Sequence, residues 1–465
     1  MKFFRSIFLA AGLLAAASAG AYAQTDVLPE DGSPVVITLE QALQIALSEN
    51  VSVKVADREI ERTGYSRKGT YSSLYPNISG SASFQRTIKK QRMYMDVAGM
   101  EGGLEVGRWN TWSAGVSASM PLVNPQLWES LKISDMDVEL AVEKARSSRL
   151  ETVTQVKQAF FACLLAKEVF DVYSQVYENA VENLDLIQKK YSAQRASELE
   201  LTRAKTTVAN AVPNMYDAES SIILGLWQLK AVMGIDLETN LDVAGSLQDW
   251  AGHMLYDVDE LGNMDLDRNS TMRQLAIQAE QLASTVKLQQ DANIPTLSLA
   301  FSYTYNAMAN DFVFSEYKWS PYSYVGLSLN IPIFAGGKRS NDIKQAKVQA
   351  AELDLQKANT ERQLKISIRQ YLNTMDTQMK SLGSAQSAVE TAQKAYDIAS
   401  KSYNVGRSTL TDLNDAQLAL TQAQLSVSQA IYSFVVAKAN LEQVLGADFI
   451  DEEGNVQLNK TYSNE

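Results

Sequence analysis

Leu297-Ser298-Leu299-Ala300-Phe301-Ser302-Tyr303-Thr304-Tyr305 alternates apolar side chains with small or polar ones, and Val325-Gly326-Leu327-Ser328-Leu329-Asn330-Ile331-Pro332-Ile333 does so again a little further on. A period of two is the pattern of a strand with one apolar face. The first half of the chain carries a weaker version. Ile78, Gly80, Ala82 and Phe84 alternate with Ser79, Ser81 and Ser83, and Val116, Ala118, Met120 and Leu122 alternate with Ser117 and Ser119. Four such runs fit either a small soluble sheet or part of a membrane barrel. Trp109, Trp112, Trp319, Tyr322 and Tyr324 lie at strand starts, where a barrel has its interfacial aromatic girdle.

Long helical tracts surround these strands. From Pro125 to Tyr191 there is no Gly and no further Pro, a stretch of ~100 Å as a helix. A break at Ser192–Ser197 precedes a return helix to Met233, which Pro213 is expected to kink unless a neighbour accommodates it. Residues 38–75 read as one opening helix, with Thr38 and Gln41 placed as a capping box. The second half repeats the scheme, Lys338–Tyr403 outward and Thr409–Leu445 back. Leu410, Leu413, Leu420, Val427 and Phe434 form a near-heptad seam there.

The two halves are copies. Tyr191, Arg195, Leu201 and Ala204 match Tyr403, Arg407, Leu413 and Ala416, each 212 later, and Leu229, Val232, Gly234 and Asp236 match Leu441, Val444, Gly446 and Asp448 at the same distance. The expected organisation is a first repeat over 24–245, a linker over 246–256, a second repeat over 257–450 and a polar tail over 451–465. Asp257, Asp259, Asp265 and Asp267 near the join lack the glycine and ligand spacing of a calcium loop. Residues 1–23 read as a secretory signal: Lys2 and Arg5, an apolar run from Ile7 to Ala17, then Ala21-Tyr22-Ala23, with Gln24 as the expected mature start.

Composition narrows the function. The chain has 465 residues, a formal net charge of −12, one His and one Cys, and its mean hydropathy is −0.18. That hydropathy excludes a polytopic helical membrane protein. An acidic chain is a poor nucleic-acid binder. His253 in the linker and Cys163 in an apolar run read as structural, so neither a metal, a cofactor nor an enzyme site is expected. Four strands cannot close a barrel in lipid, so closure needs other copies: two chains for eight strands, three for twelve. An exported coiled coil without a pore is the rival reading, and it leaves the strands unexplained.

Thr38-Leu39-Glu40-Gln41-Ala42-Leu43, Tyr75-Pro76-Asn77-Ile78, Ile331-Pro332-Ile333-Phe334-Ala335-Gly336-Gly337-Lys338, Tyr403-Asn404-Val405-Gly406 with Leu410-Thr411-Asp412-Leu413, Asp415-Ala416-Gln417 and Leu445-Gly446 occur in this order. With them the chain resembles the TolC-type outer-membrane efflux family over nearly all of its mature length. The resemblance implies a mainly α fold with a membrane β-barrel portion. In a homotrimer, four strands per chain complete a twelve-stranded barrel, and antiparallel coiled-coil helices form a periplasmic helical barrel. It implies loops near 88–109 and 307–321 outside the cell and an entrance at the turns 191–199 and 403–410. It also implies an adaptor (membrane fusion) protein and an inner-membrane transporter as partners, outer-membrane lipid around the barrel, and small toxic molecules as cargo, with type I protein secretion as the alternative.

The same resemblance assigns site residues. Asp412 and Asp415 match the acidic rings that constrict the family's entrance. Tyr403 and Glu200 match a gating latch. A third latch member, an Arg two residues after the turn glycine, is replaced by Ser408, with Arg407 one residue earlier. The glycine of the first turn is replaced by Gln194. Gln194, Arg195, Ser197, Gly406, Ser408 and Thr409 fall on the helix turns that meet the adaptor in the family.

Overall fold

The computed structural model describes residues 34–94, 104–254 and 266–446. The expected signal peptide, Asp257, Asp259 and Asp265, the polar tail, the middle of the first loop and the His253 side chain lie outside the described parts. In chain order the elements are β1 (Val35–Ile37), α1 (Leu39–Glu49), α2 (Val51–Ser72), β2 (Asn77–Arg86), β3 (Gln91–Met93), β4 (Leu104–Val106), β5 (Asn110–Val123), α3 (Pro125–Ser192), α4 (Glu198–Met233) and β6 (Leu241–Val243). They continue with α5 (Ser270–Asp291), β7 (Thr296–Ala309), β8 (Ser320–Asn330), α6 (Lys338–Asn404) and α7 (Leu410–Leu445).

The capping box that opens α1 forms as expected: the Gln41 amide donates to Thr38 Oγ1 at 3.3 Å and the Thr38 amide donates to Gln41 Oε1 at 3.0 Å. The single opening helix does not. It divides at Asn50, whose Oδ1 accepts from the amides of Ser52 and Val53 at 2.7 and 3.3 Å and so caps α2. Asn50 Nδ2 donates to the Val232 carbonyl, 2.6 Å away in the last turn of α4. The second half contains the same joint. Asn269 caps α5 through the Met272 amide at 2.9 Å and donates to the Val444 carbonyl at 2.6 Å. Each asparagine thus satisfies orphan donors of one helix and an orphan carbonyl of another. The helices so joined end on Gly234 and Gly446, both in the left-handed conformation.

β2, β5, β7 and β8 form one antiparallel sheet in that order. Register separates its faces. Phe84 pairs with Trp112, Val116 with Tyr303, Ala118 with Phe301 and Leu297 with Leu329, all on the apolar face. Ser79 pairs with Ser117, Ser117 with Ser302 and Ser298 with Ser328 on the other. Trp112 joins Phe84 and Phe314 at the outer end of the apolar face, with ring centroids 4.3 and 5.4 Å away. Tyr322 and Tyr324 do not belong to such a girdle. They pair with Thr304 and Ser302, so they stand on the small, polar face, opposite to Val325, Leu327 and Leu329. Gly115 allows β5 and β7 to approach closely: a Cβ there would lie 2.6 Å from the Tyr303 carbonyl oxygen. The sheet register shifts between Pro121 and Val123, a bulge that accommodates a residue without an amide donor. β1 and β6 form a short parallel pair that periodicity gave no sign of, being three residues each.

Below the sheet, α2 and α4 both lie along α3, and α5 and α7 both lie along α6. The 68 residues of α3 span ~100 Å. α4 continues through Pro213 without interruption. Among the described residues no helix is long and apolar enough to cross a membrane. The main core lies midway along the helices, where Leu43, Phe160, Leu164, Leu229, Met375, Ile431 and Phe434 come together. Lys157 and Glu442 pair at 2.8 Å between α3 and α7 with side chains 10 % and 13 % exposed. Cys163 is fully buried, and burial pushes its thiol up to about 12, so it is an inert packing group. Gly225 lies against it: a Cβ there would meet Cys163 Sγ at 3.2 Å.

Candidate functional site at the helix turns

The end remote from the sheet is built from two equivalent turns, α3 to α4 and α6 to α7. Each outgoing helix closes with the same pair of backbone bonds. The Arg195 amide donates to Lys190 O at 2.7 Å and the Arg407 amide to Ser402 O at 2.8 Å, five residues back in both cases. This closure requires a left-handed residue in between, and Gly406 supplies it with φ +74°. In the first turn Gln194 adopts φ +60°, the one non-glycine among the described residues with positive φ. The missing glycine therefore leaves the geometry of the turn intact, and side-chain strain is the consequence. Gln194→Gly is expected to stabilise the turn by about 1 kcal/mol, seen as slower amide hydrogen exchange at Arg195. Faster or unchanged exchange would show that the Gln194 side chain compensates the strain.

Each returning helix begins with a capping box. Ser197 Oγ accepts from the Glu200 amide at 3.2 Å, and Glu200 Oε2 accepts from the Ser197 amide at 2.8 Å. Thr409 Oγ1 accepts from the Asp412 amide at 3.1 Å, and Asp412 Oδ2 accepts from the Thr409 amide and hydroxyl at 2.8 and 2.7 Å. Those bonds, the backbone one foremost, hold the Asp412 carboxyl below the usual aspartate range. A group with a depressed folded pKa stabilises the fold above its ordinary value, and this contribution is lost as pH falls through the folded value. Asp412 and Asp415 are both exposed, and their spacing of three puts them on one face of α7.

Tyr403 is 5 % exposed and packs with Ile187, Leu201, Leu410 and Leu413 in a small core between the turns. Lys190 Nζ lies 4.6 Å from its ring centroid. Burial, and secondarily the Glu200 charge, pushes its hydroxyl up from the ordinary tyrosine value. No hydrogen bond joins the Tyr403 hydroxyl to Glu200 among the described residues, because Glu200 is turned toward Ser197. Tyr191, the counterpart of Tyr403 in the first half, is 40 % exposed. Arg195 and Arg407 are exposed, and Ser408 is half-buried beside Gly406. Thr411 and Gln417 lie in the quoted motifs, but their partners and the other bond between the coils were not read from sequence: Arg203 donates to Thr411 Oγ1 at 3.5 Å, Asn414 to Thr207 Oγ1 at 3.4 Å and Asn179 to Gln417 Oε1 at 3.2 Å.

A sheet with one apolar face, two long helical hairpins and a duplicated turn now meet a matching family description. The model of the outer membrane efflux protein family matches residues 42–235 and 261–447. The chain belongs to this family. It is thereby an outer-membrane efflux channel component, with its sheet in the membrane and its long helices extending into the periplasm. Family and fold are those of channels rather than enzymes. A protease secretion protein of Dickeya chrysanthemi, PrtF, is 22 % identical over 361 residues, covering 74 % of this chain and 73 % of that protein. The outer membrane protein TolC of Vibrio cholerae is 21 % identical over 279 residues, 58 % of this chain and 62 % of that one. The crystal structure of the CmeC outer membrane channel of Campylobacter jejuni superposes with a TM-score of 0.70 at 20 % identity, covering 91 % of this chain and 87 % of CmeC. Family members are trimeric channels of tripartite systems.

Proposed function

We propose that three copies of this chain form the exit duct of a tripartite export apparatus, passing small toxic molecules from the periplasm to the exterior. The observation that carries it is the sheet order β2-β5-β7-β8. Its outer strands β2 and β8 each keep an unpaired edge, which lipid does not tolerate. β2 runs away from the helices and β8 runs back toward them, so β8 of one copy meets β2 of the next antiparallel. Three copies close twelve strands with the apolar face to lipid and the serine face to water. The repeats 24–245 and 257–450, joined through 246–256, then contribute alternate hairpins to the periplasmic tube.

At its periplasmic end, Asp412 and Asp415 of three copies make two acidic rings that favour cations. The turns carrying Gln194, Arg195, Ser197, Gly406, Ser408 and Thr409 meet a periplasmic adaptor, which opens the entrance and links it to an inner-membrane pump. Tyr403, Glu200 and Arg407 act in the latch. For Glu200 to reach the Tyr403 hydroxyl it must give up its bonds to Ser197, which couples the latch to the start of α4. The duct performs no catalysis and holds no cofactor. A second reading, secretion of a protein substrate, is favoured by the relative PrtF, whose name assigns it to protease secretion.

Planar-bilayer recording of the purified trimer tests the proposal. Small, cation-selective openings that multivalent cations block are the expected result. Folded protein that neither inserts nor conducts would reduce the chain to an exported coiled coil.

A further inference from the structure

We infer that Tyr322 and Tyr324 form an aromatic stacking site inside the barrel, selective for aromatic organic cations among the molecules in transit. The inference rests on the trimeric channel reading, which turns the serine face of the sheet into the lumen wall.

That wall carries no charged side chain along the four strands. Its positions are Ser, Thr, Asn, Gln, Gly and Ala almost throughout. The two tyrosines interrupt it. They lie near the outer end of β8, and their ring centroids are 5.9 Å apart with planes inclined at 46°. Their cross-strand neighbours on β7, Thr304 and Ser302, are too short to cover them. In the closed barrel the next copy's β2 lies on the other side, and its positions on this face are Asn77, Ser79, Ser81, Ser83 and Gln85, none of them charged. In the single copy the rings are 60 % and 47 % exposed. Threefold symmetry brings six of them to one level of the pore.

Two properties of the rings define the ligand. Their faces carry the negative lobes of the aromatic quadrupole, which attract cations and stack on flat rings. A wall without charges offers no ion pair to compete. An aromatic cation gains both interactions, a saturated cation of the same size the cation–π one alone.

The test is current block of the wild-type trimer by benzyltrimethylammonium, applied from the outer side, against (cyclohexylmethyl)trimethylammonium, which has the same charge and nearly the same shape. The aromatic cation is expected to block about fivefold more tightly. The preference should disappear in the double variant Tyr322→Ser with Tyr324→Ser and persist in Tyr322→Phe with Tyr324→Phe. Equal block by the two cations, no block by either, or a preference that survives in the serine variant overturns the inference while leaving a conducting channel in place. A folded trimer that does not conduct removes the channel reading and this site with it.

Discussion

Gly446→Ala is expected to lower the stability of the protein by about 3 kcal/mol or more. The residue ends α7 with φ +66°, where a side chain is strained. The larger effect is contact. A Cβ at this position would lie 2.1 Å from the Arg268 carbonyl oxygen and 2.7 Å from its carbon. Both are backbone atoms of the segment entering α5, so relief requires the joint to open. The joint is held from three sides. Asn269 bonds the Val444 carbonyl at 2.6 Å, and Arg146 donates to the carbonyls of Gly446 and Arg268 at 3.0 and 3.1 Å. Shifting Arg268 thus strains the contacts by which α3, α5 and α7 meet. The control is Gly383→Ala within α6, where a Cβ meets nothing within 4 Å and no positive φ is involved. There the same substitution should stabilise by about 1 kcal/mol through helix propensity. Helical circular dichroism on heating at one fixed scan rate separates the two, with Gly446→Ala melting below the wild type and Gly383→Ala above it. If Gly446→Ala melts with the wild type, the α5–α7 joint adjusts freely and does not fix the helices.

The long helices were legible because α3 has no Gly and no Pro after Pro125 and α6 has no Pro and a single interior Gly, Gly383, and the strands were legible because a period of two leaves few alternatives. The break at Asn50 was not. It depends on a carbonyl 182 residues away, and the hydrophobic pattern of Leu43, Ala46 and Leu47 runs up to it without warning. Its counterpart Asn269 sits at the corresponding joint, so the repeat contained a signal, but one that becomes visible only when the bonded carbonyls are known to match. The faces of Tyr322 and Tyr324 were present in the sequence. Counting by twos from Ser328 through Gly326 reaches both tyrosines, whereas Leu329 and Leu327 lead to Val325. Their position at a strand start suggested a lipid girdle, and side-chain parity assigns them to the opposite face. At the turns, the family resemblance pointed to Asp412 and Glu200 as charged groups of the entrance. The capping-box rule that placed the start of α1 through Thr38 and Gln41 also applies to Ser197 with Glu200 and Thr409 with Asp412. It explains why two acidic residues stand 212 apart in equivalent positions before any role in the channel is considered.

Removing both proposed rings, by Asp412→Asn with Asp415→Asn, is expected to weaken block by a trivalent cation at least about tenfold, since six carboxylates at one constriction become neutral amides. The isosteric change matters at Asp412. Alanine would also remove the acceptor for the Thr409 amide and hydroxyl, at about 1 kcal/mol for the cap, and a fraying α7 would alter the entrance for reasons unrelated to charge. Asp415→Asn isolates the Asp412 ring, and its dependence on pH reads the Thr409 bonds. Asp412 accepts two hydrogen bonds that favour its charged form and hold its pKa down. Block in Asp415→Asn, which relies on Asp412, should survive to lower pH than block in Asp415→Asn with Thr409→Val, which lacks the hydroxyl bond to that carboxylate. Like-charge repulsion within the Asp412 ring is common to both variants and leaves this difference in place, because the bonds from Thr409 are made inside each copy. Identical pH profiles for the two variants would mean that the cap bonds open in the trimer. Unchanged block in the double variant would place the constriction elsewhere and leave Asp412 as a helix cap alone.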